Sequence, residues 1–282
     1  MFHWLKQLDR LLRGEATRPE ALGDGTIQVQ AGGLAVLIVL LGALYGLSMG
    51  SFSLLKEVPP ELSDPNGRYL QLLATTIKVP ALFYLTLLVT FPSLYVFNAL
   101  VGSRLTVPSV LRLLIASLAV NLAVLASLAP IVLFFSLSTK SHAFILLLNV
   151  AVFSVAGVLG LMFLLQTLHR LTSIEGQRLS AARKVPAHQP AASTAADEPD
   201  SLVVLAEDPT ALDMPPGQTL GRHTRLVFNC WVILFALVGA QMGWVLRPFV
   251  GNPNLPFEWF RERQSNFFEA ILRTVSALFA GG

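Results

Sequence analysis

The sequence predicts an all-α polytopic membrane helix bundle of about five transmembrane helices, with amphipathic interfacial helices at both termini. The chain is 54% hydrophobic and 13% charged, against roughly a quarter charged in an ordinary soluble domain. Its charges are also segregated: no Asp or Glu lies between Asp64 and Glu175, or between Asp213 and Glu258. A bilayer selects such acid-free intervals, because an ionised side chain at its centre costs several kcal/mol. A soluble core would instead be broken into short elements by polar loops.

Residues 1–30 read as a cytoplasmic amphipathic segment. Trp4, Leu5, Leu8, Leu11 and Leu12 recur at helical spacing, and Lys6, Asp9, Arg10 and Arg13 face elsewhere, up to Gly14. Such a helix lies on the membrane surface; the alternative is a docking helix for a partner. The first apolar run starts near Leu34 with mixed charge before it, so the first span reads as an uncleaved signal anchor.

Residues 31–171 read as a four-span bundle, with spans at 32–52, 77–101, 110–137 and 143–168, since about 20 apolar residues cross the hydrocarbon. Pro80 and Pro92 disturb the second span, and Pro130 kinks or shortens the third. Residues 172–221, with "AHQPAASTAADEPD", read as a disordered cytoplasmic linker. Within it, 201–213 ("SLVVLAEDPTALD") is either a docking motif for a cytoplasmic partner or passive linker. Residues 222–251 hold the fifth transmembrane helix, at 226–250, and 252–282 an external amphipathic helix.

Orientation follows the Lys and Arg bias. With the N-terminus inside, Arg10, Arg13, Arg18, Arg104, Arg170, Arg178, Arg183 and Lys184 are among the larger, inner set. Five spans then put the C-terminus outside. Lys78 and Arg112 stand at span ends, where they can snorkel to the interface.

Within the spans, Gly42, Gly46 and Gly50 line one helix face, and Gly239 and Gly243 repeat the spacing. Small residues in this pattern permit close helix packing. Asn98, Asn121, Asn149, Asn229 and Gln241 are amides at membrane depth, read as interhelical hydrogen bonds or, more sharply, as a substrate-binding ring. No Asp, Glu or His lies inside a span, which weighs against proton-coupled transport, intramembrane proteolysis and a metalloenzyme. The histidines have no metal-ligand spacing, Cys230 stands alone, and no nucleotide or nucleophile motif occurs. The reading is therefore no enzyme, no cofactor, no metal and no nucleic-acid partner.

The stretch "GAQMGWVLRPFVGNPNLPFEWFRERQSNFFEAI" at 239–271 begins as a helix, then turns polar and aromatic. Trp244 and Arg247 suit the outer interface. From Pro256 a second helical pattern is expected, flat on the outer surface. Trp259, Phe260, Arg261, Phe267 and Phe268 have the composition of a partner contact.

Five spans with an inner N-terminus and a short external C-terminus, over residues 30–250, resemble the topology of the Yip1-like membrane proteins. The long fourth connection and the external helix depart from it. "GAQMGWVLRPF" also resembles segments of uncharacterised bacterial polytopic proteins. The expected role is an integral membrane subunit or scaffold of the bacterial inner membrane. Its partners would be the lipid bilayer and either another membrane protein or further copies of the chain. The alternative is a channel or transporter component for a neutral or lipid-like substrate.

Overall fold

A computed structural model of the chain describes residues 2–15, 30–55, 65–100, 107–183, 222–246, 257–259 and 266–280. Every regular element among them is a helix: α1 (Phe2–Leu12), α2 (Ala31–Leu55), α3 (Pro65–Leu100), α4 (Val107–Ser138), α5 (His142–Arg183), α6 (Arg222–Leu246) and α7 (Phe267–Ala280). Ala31–Leu54, Asn66–Ser93, Val107–Ser138 and His142–Leu168 are each long and apolar enough to cross a membrane. In α6 the apolar stretch Trp231–Leu246 is shorter. A chain with four such helices is a multi-pass membrane protein, since in hydrocarbon each backbone polar group must be satisfied within its own helix.

α2 packs between α3 and α4, α5 runs along α4, and α6 lies on α3. The seam of α2 and α3 is set by the predicted glycines. A Cβ at Gly46 would lie 2.6 Å from the Thr75 carbonyl oxygen, and one at Gly50 would be 2.9 Å from Leu72 Cδ1. At Gly42 it would meet Pro80 Cβ at 3.1 Å. These helices touch backbone to backbone, as small residues allow. By contrast, Gly239 has only ordinary contact, with Thr86 Cγ2 at 3.8 Å.

Directional bonds then fix the neighbours. Tyr45 Oη donates to Asn149 Oδ1 at 2.8 Å, joining α2 to α5 in the buried core. Tyr84 Oη donates to the Ala35 carbonyl at 2.6 Å. Ser117 Oγ donates to the Gly160 carbonyl at 2.8 Å, joining α4 to α5. Trp231 Nε1 donates to Ser93 Oγ at 3.2 Å, holding α6 on α3.

Several expected boundaries are corrected. α3 starts at Pro65 rather than near 77. Proline suits a first helical position, and the hydroxyls of Thr75 and Thr76 each donate to the Leu72 carbonyl at 2.8 Å, so their polarity is absorbed inside the helix. Lys78 is consequently an interior residue of α3, not a residue at a span end. Pro80, Pro92 and Pro130 lie inside unbroken helices. α5 persists to Arg183, so 172–183 is helix rather than linker; Glu175, Gln177, Leu179, Ala181 and Ala182 are good helix formers. Residues 184–221, including the motif at 201–213, lie outside the described residues.

Both terminal helices are amphipathic, and both pack on the bundle. α1 docks against α2 and α4, with Leu8 and Leu11 buried and Trp4 in the space a Cβ of Gly33 would need. It ends where Gly14 takes φ 71°, a left-handed cap conformation that suits glycine. Arg13 Nε lies 3.0 Å from Asp9 Oδ1, which raises the guanidinium pKa. α7 starts at Phe267, later than the expected onset at 256, because Asn266 caps it: Oδ1 accepts from the Glu269 backbone N–H at 2.9 Å. α7 packs against α5 and α6 instead of lying free on the surface.

The seam makes a direct prediction. Gly46→Leu forces α2 off α3 and should destabilise the protein by roughly 1–3 kcal/mol or more, as overpacking does. Gly157→Ala, where nothing lies within 4 Å of the new Cβ, should leave stability unchanged or raise it. Thermal denaturation in mild detergent, followed by gel filtration, compares the two.

Candidate functional site

α5 and α6 stand on either side of a cleft floored by α3 and α4, with a volume of about 350 Å³. Leu82, Phe83 and Thr86 of α3 and Leu118 and Asn121 of α4 form the floor. Val150, Phe153, Ser154, Gly157, Val158 and Leu161 supply the α5 wall, and Phe235, Ala236, Gly239, Ala240 and Gly243 the α6 wall. Phe267 of α7 closes one side. The walls reach the exposed surface at Ser154, Val158 and Ala236.

Local sequence explains the shape. Ser154, Gly157, Val158 and Leu161 follow i, i+3, i+4, i+7 spacing, so they share one face of α5. Small Ser154 and Gly157 leave room there. Phe153, four residues before Gly157 on the same face, makes an edge contact with Tyr45 at 5.3 Å and a stacked one with Phe83 at 5.9 Å, which anchors the rear of the cleft.

Among the described residues the lining is apolar and carries no ionisable side chain. Thr86 and Ser154 spend their hydroxyl protons on their own helices, on the Leu82 carbonyl at 2.8 Å and the Val150 carbonyl at 2.7 Å. Asn121 is different. It stands near the centre of α4, and its Oδ1 is buried with no hydrogen-bond partner among the described residues. Gly160 makes its position possible: a Cβ there would be 2.9 Å from Asn121 Cβ. An unmet carbonyl in such surroundings is expensive, about 1–3 kcal/mol, and calls for a functional explanation.

The other expected site residues separate. Asn149 is fully buried and satisfied: it accepts from Tyr45 and donates from Nδ2 to the Ile145 carbonyl at 2.8 Å. It is an interhelical bond and not a cleft residue. Gln241 is half-buried and does not line the cleft. Asn98 and Asn229 lie on α3 and α6, with side chains outside the described set, so no ring of amides is assembled from described side chains. Gly42, Gly46 and Gly50 belong to the α2–α3 seam, whereas Gly239, Gly243 and Phe267 line the cleft. Trp244 is half-buried on α6, and Phe268 is exposed on α7. Arg247, Phe260 and Arg261 lie outside the described residues.

Sequence reasoning missed Phe83, Thr86, Phe153, Ser154, Gly157 and Phe235. The run "SVAGVLG" at 154–160 held the one usable signal, small residues three apart on one helix face. It also missed a contact across the fold. Lys78 is only 6% exposed; its Nζ donates to the Trp259 carbonyl oxygen and lies 5.7 Å from that indole's centroid. A lysine inside a span is a functional pointer, and this one is bonded to non-helical backbone at Trp259.

Among the described residues no three His, Cys, Asp or Glu side chains gather to hold a metal ion. No protein-family model, curated protein or solved structure matches the chain, so the functional reading stands on geometry alone.

Lys78→Met should release the Trp259 segment. In a Cys230→Ser, Trp259→Cys background the backbone carbonyl at 259 remains, and only its donor is removed. A hydrogen bond from a charged group contributes roughly 1.5–3 kcal/mol, so maleimide labelling of position 259 should rise about tenfold or more.

Proposed function

We propose that this multi-pass membrane protein takes up a neutral, lipid-like molecule from the bilayer into the α5–α6 cleft, as a component of a channel or transporter and without bond chemistry of its own. The cleft carries this reading: it is apolar, reaches the exposed surface between two helices, and has the Asn121 amide in its floor at the middle of α4. Ligand sites have this form, with mostly hydrophobic walls and a few placed polar groups. The described lining has no ionisable group, which favours a neutral cargo, and its two hydroxyls are bonded within their own helices with no base beside them, which favours binding over catalysis. We place the protein in a bacterial inner membrane with its N-terminus cytoplasmic and its C-terminus external, on the Lys and Arg bias and a fifth crossing by α6.

Gly157 provides the test. Its Cβ direction is open, so Gly157→Phe fills the cleft without touching the α2–α3 seam. A photoreactive acyl-chain probe in membranes should label cleft peptides of the wild type, and labelling should fall at least severalfold in Gly157→Phe while thermal stability is kept. Equal labelling of both proteins would sink the proposal.

A scaffold or subunit role is favoured by a separate observation. On the C-terminal segment Trp259, Phe268 and Leu272 are 42%, 46% and 70% exposed, an apolar surface suited to another membrane protein or a further copy of the chain. If it is an interface, Phe268→Ala with Leu272→Ala should remove a stoichiometric partner, or halve the assembly mass, in a gentle-detergent purification. An unchanged assembly would leave the scaffold role without support.

A further inference from the structure

Helix α1 carries three stripes, and the bundle uses one of them. Trp4, Leu8 and Leu11, at i, i+4, i+7 spacing, share a face; Leu8 and Leu11 are buried, and Trp4 sits against Gly33. About 100° further round come Leu5, Asp9 and Leu12, with both leucines exposed. A further step of about 100° brings Lys6, Arg10 and Arg13, all exposed. Gly33 stands at the start of the Ala31–Leu54 span, so α1 lies where the bundle meets the membrane surface. We propose that the stripe of Lys6, Arg10 and Arg13 binds the headgroups of anionic phospholipids, with Leu5 and Leu12 set among the acyl chains beside them.

Position comes from the order of the stripes. One face is taken by the bundle, so the exposed leucines next to it turn toward the hydrocarbon, as the apolar side of an interfacial helix does. The cations, one step beyond, then point away from the bundle at headgroup level. Charge complementarity selects the lipid. Arg13 Nε donates to Asp9 Oδ1 at 3.0 Å, which answers one cation from within the helix. Lys6 and Arg10 have no acidic partner among the described residues. A zwitterionic headgroup brings its own ammonium with each phosphate, whereas an anionic one leaves its charge for the protein. Arginine grips a phosphate through two N–H groups and lysine adds a point charge.

The test reads contact between α1 and lipid directly. In a Cys230→Ser background, Leu12→Cys carries a bimane fluorophore. The full chain in neutral-detergent micelles is titrated with phosphatidylglycerol or phosphatidylcholine brominated in the acyl chain, which quenches the fluorophore on contact. At low ionic strength phosphatidylglycerol should reach half-quenching at a roughly twentyfold lower mole fraction, about fivefold for each of Lys6 and Arg10. Salt at about 1 M should erase most of that preference. Lys6→Gln with Arg10→Gln should bring the two lipids together and leave phosphatidylcholine quenching unchanged, while Lys6→Arg with Arg10→Lys keeps the preference. All four changes fall on exposed positions, so thermal stability should stay the same. Equal midpoints for the two lipids with Lys6 and Arg10 intact overturn the headgroup assignment. Quenching by neither lipid overturns the membrane placement and gives these stripes to a protein partner. Displacement of phosphatidylglycerol by glycerol phosphate at matched concentration would make free phosphate the ligand and overturn the lipid. Each outcome is independent of the α5–α6 cleft.

Discussion

In a bilayer water no longer drives helices together, so their association falls to close packing and to hydrogen bonds between them. Here the closest packing is the seam of α2 on α3, where Gly46 and Gly50 admit the backbone and side chain of Thr75. That contact sets the rotation of α2. Tyr45 thereby faces α5, and its hydroxyl reaches Asn149. α4 fits beside α2, and the Ser117 bond to Gly160 draws α5 onto it. α6 has a looser attachment, through Trp231 to Ser93 and through Gly239 in ordinary contact with Thr86. The cleft opens where packing is tight on one side and slack on the other.

The spans were readable because the bilayer constrains composition directly: α2, α4 and the apolar part of α5 fall almost where acid-free apolar runs place them. Ends were less readable, for local reasons. Thr75 and Thr76 look polar in the sequence but donate to their own helix, so hydropathy placed the start of α3 too late. Residues 172–183 are too polar to span and still have helix-forming composition, which hydropathy does not weigh. Asn266 decided the start of α7 by capping it, against an aromatic pattern that had suggested an onset eleven residues earlier.

The site was legible only in part. Asn121 and Asn149 give the same signal in sequence, an amide in an apolar run. Tertiary structure separates them: a tyrosine from α2 meets one, and nothing among the described residues meets the other. No periodicity encodes that difference, because it depends on the separation of α5 from α6. Small residues at 154 and 157 were visible, yet the same pattern serves tight packing at Gly160 and an open wall at Gly157. Spacing names the face; only the neighbour determines whether that face is filled.

Two polar side chains of the bundle, Lys78 and Asn121, are of different kinds, and the difference bears on function. Lys78 is bound to the Trp259 carbonyl beside that indole, so it ties residue 259 to α3. Asn121 is neutral and stands among apolar walls with no ionisable neighbour in the lining. Phe267, the first residue of α7, closes the cleft's side eight residues after Trp259. Lys78 itself stands outside the described lining, which carries no ionisable side chain. A site for an ionic cargo would place its countercharge in the lining. Among the described residues the lining holds none, and Lys78 instead binds the chain at the Trp259 carbonyl.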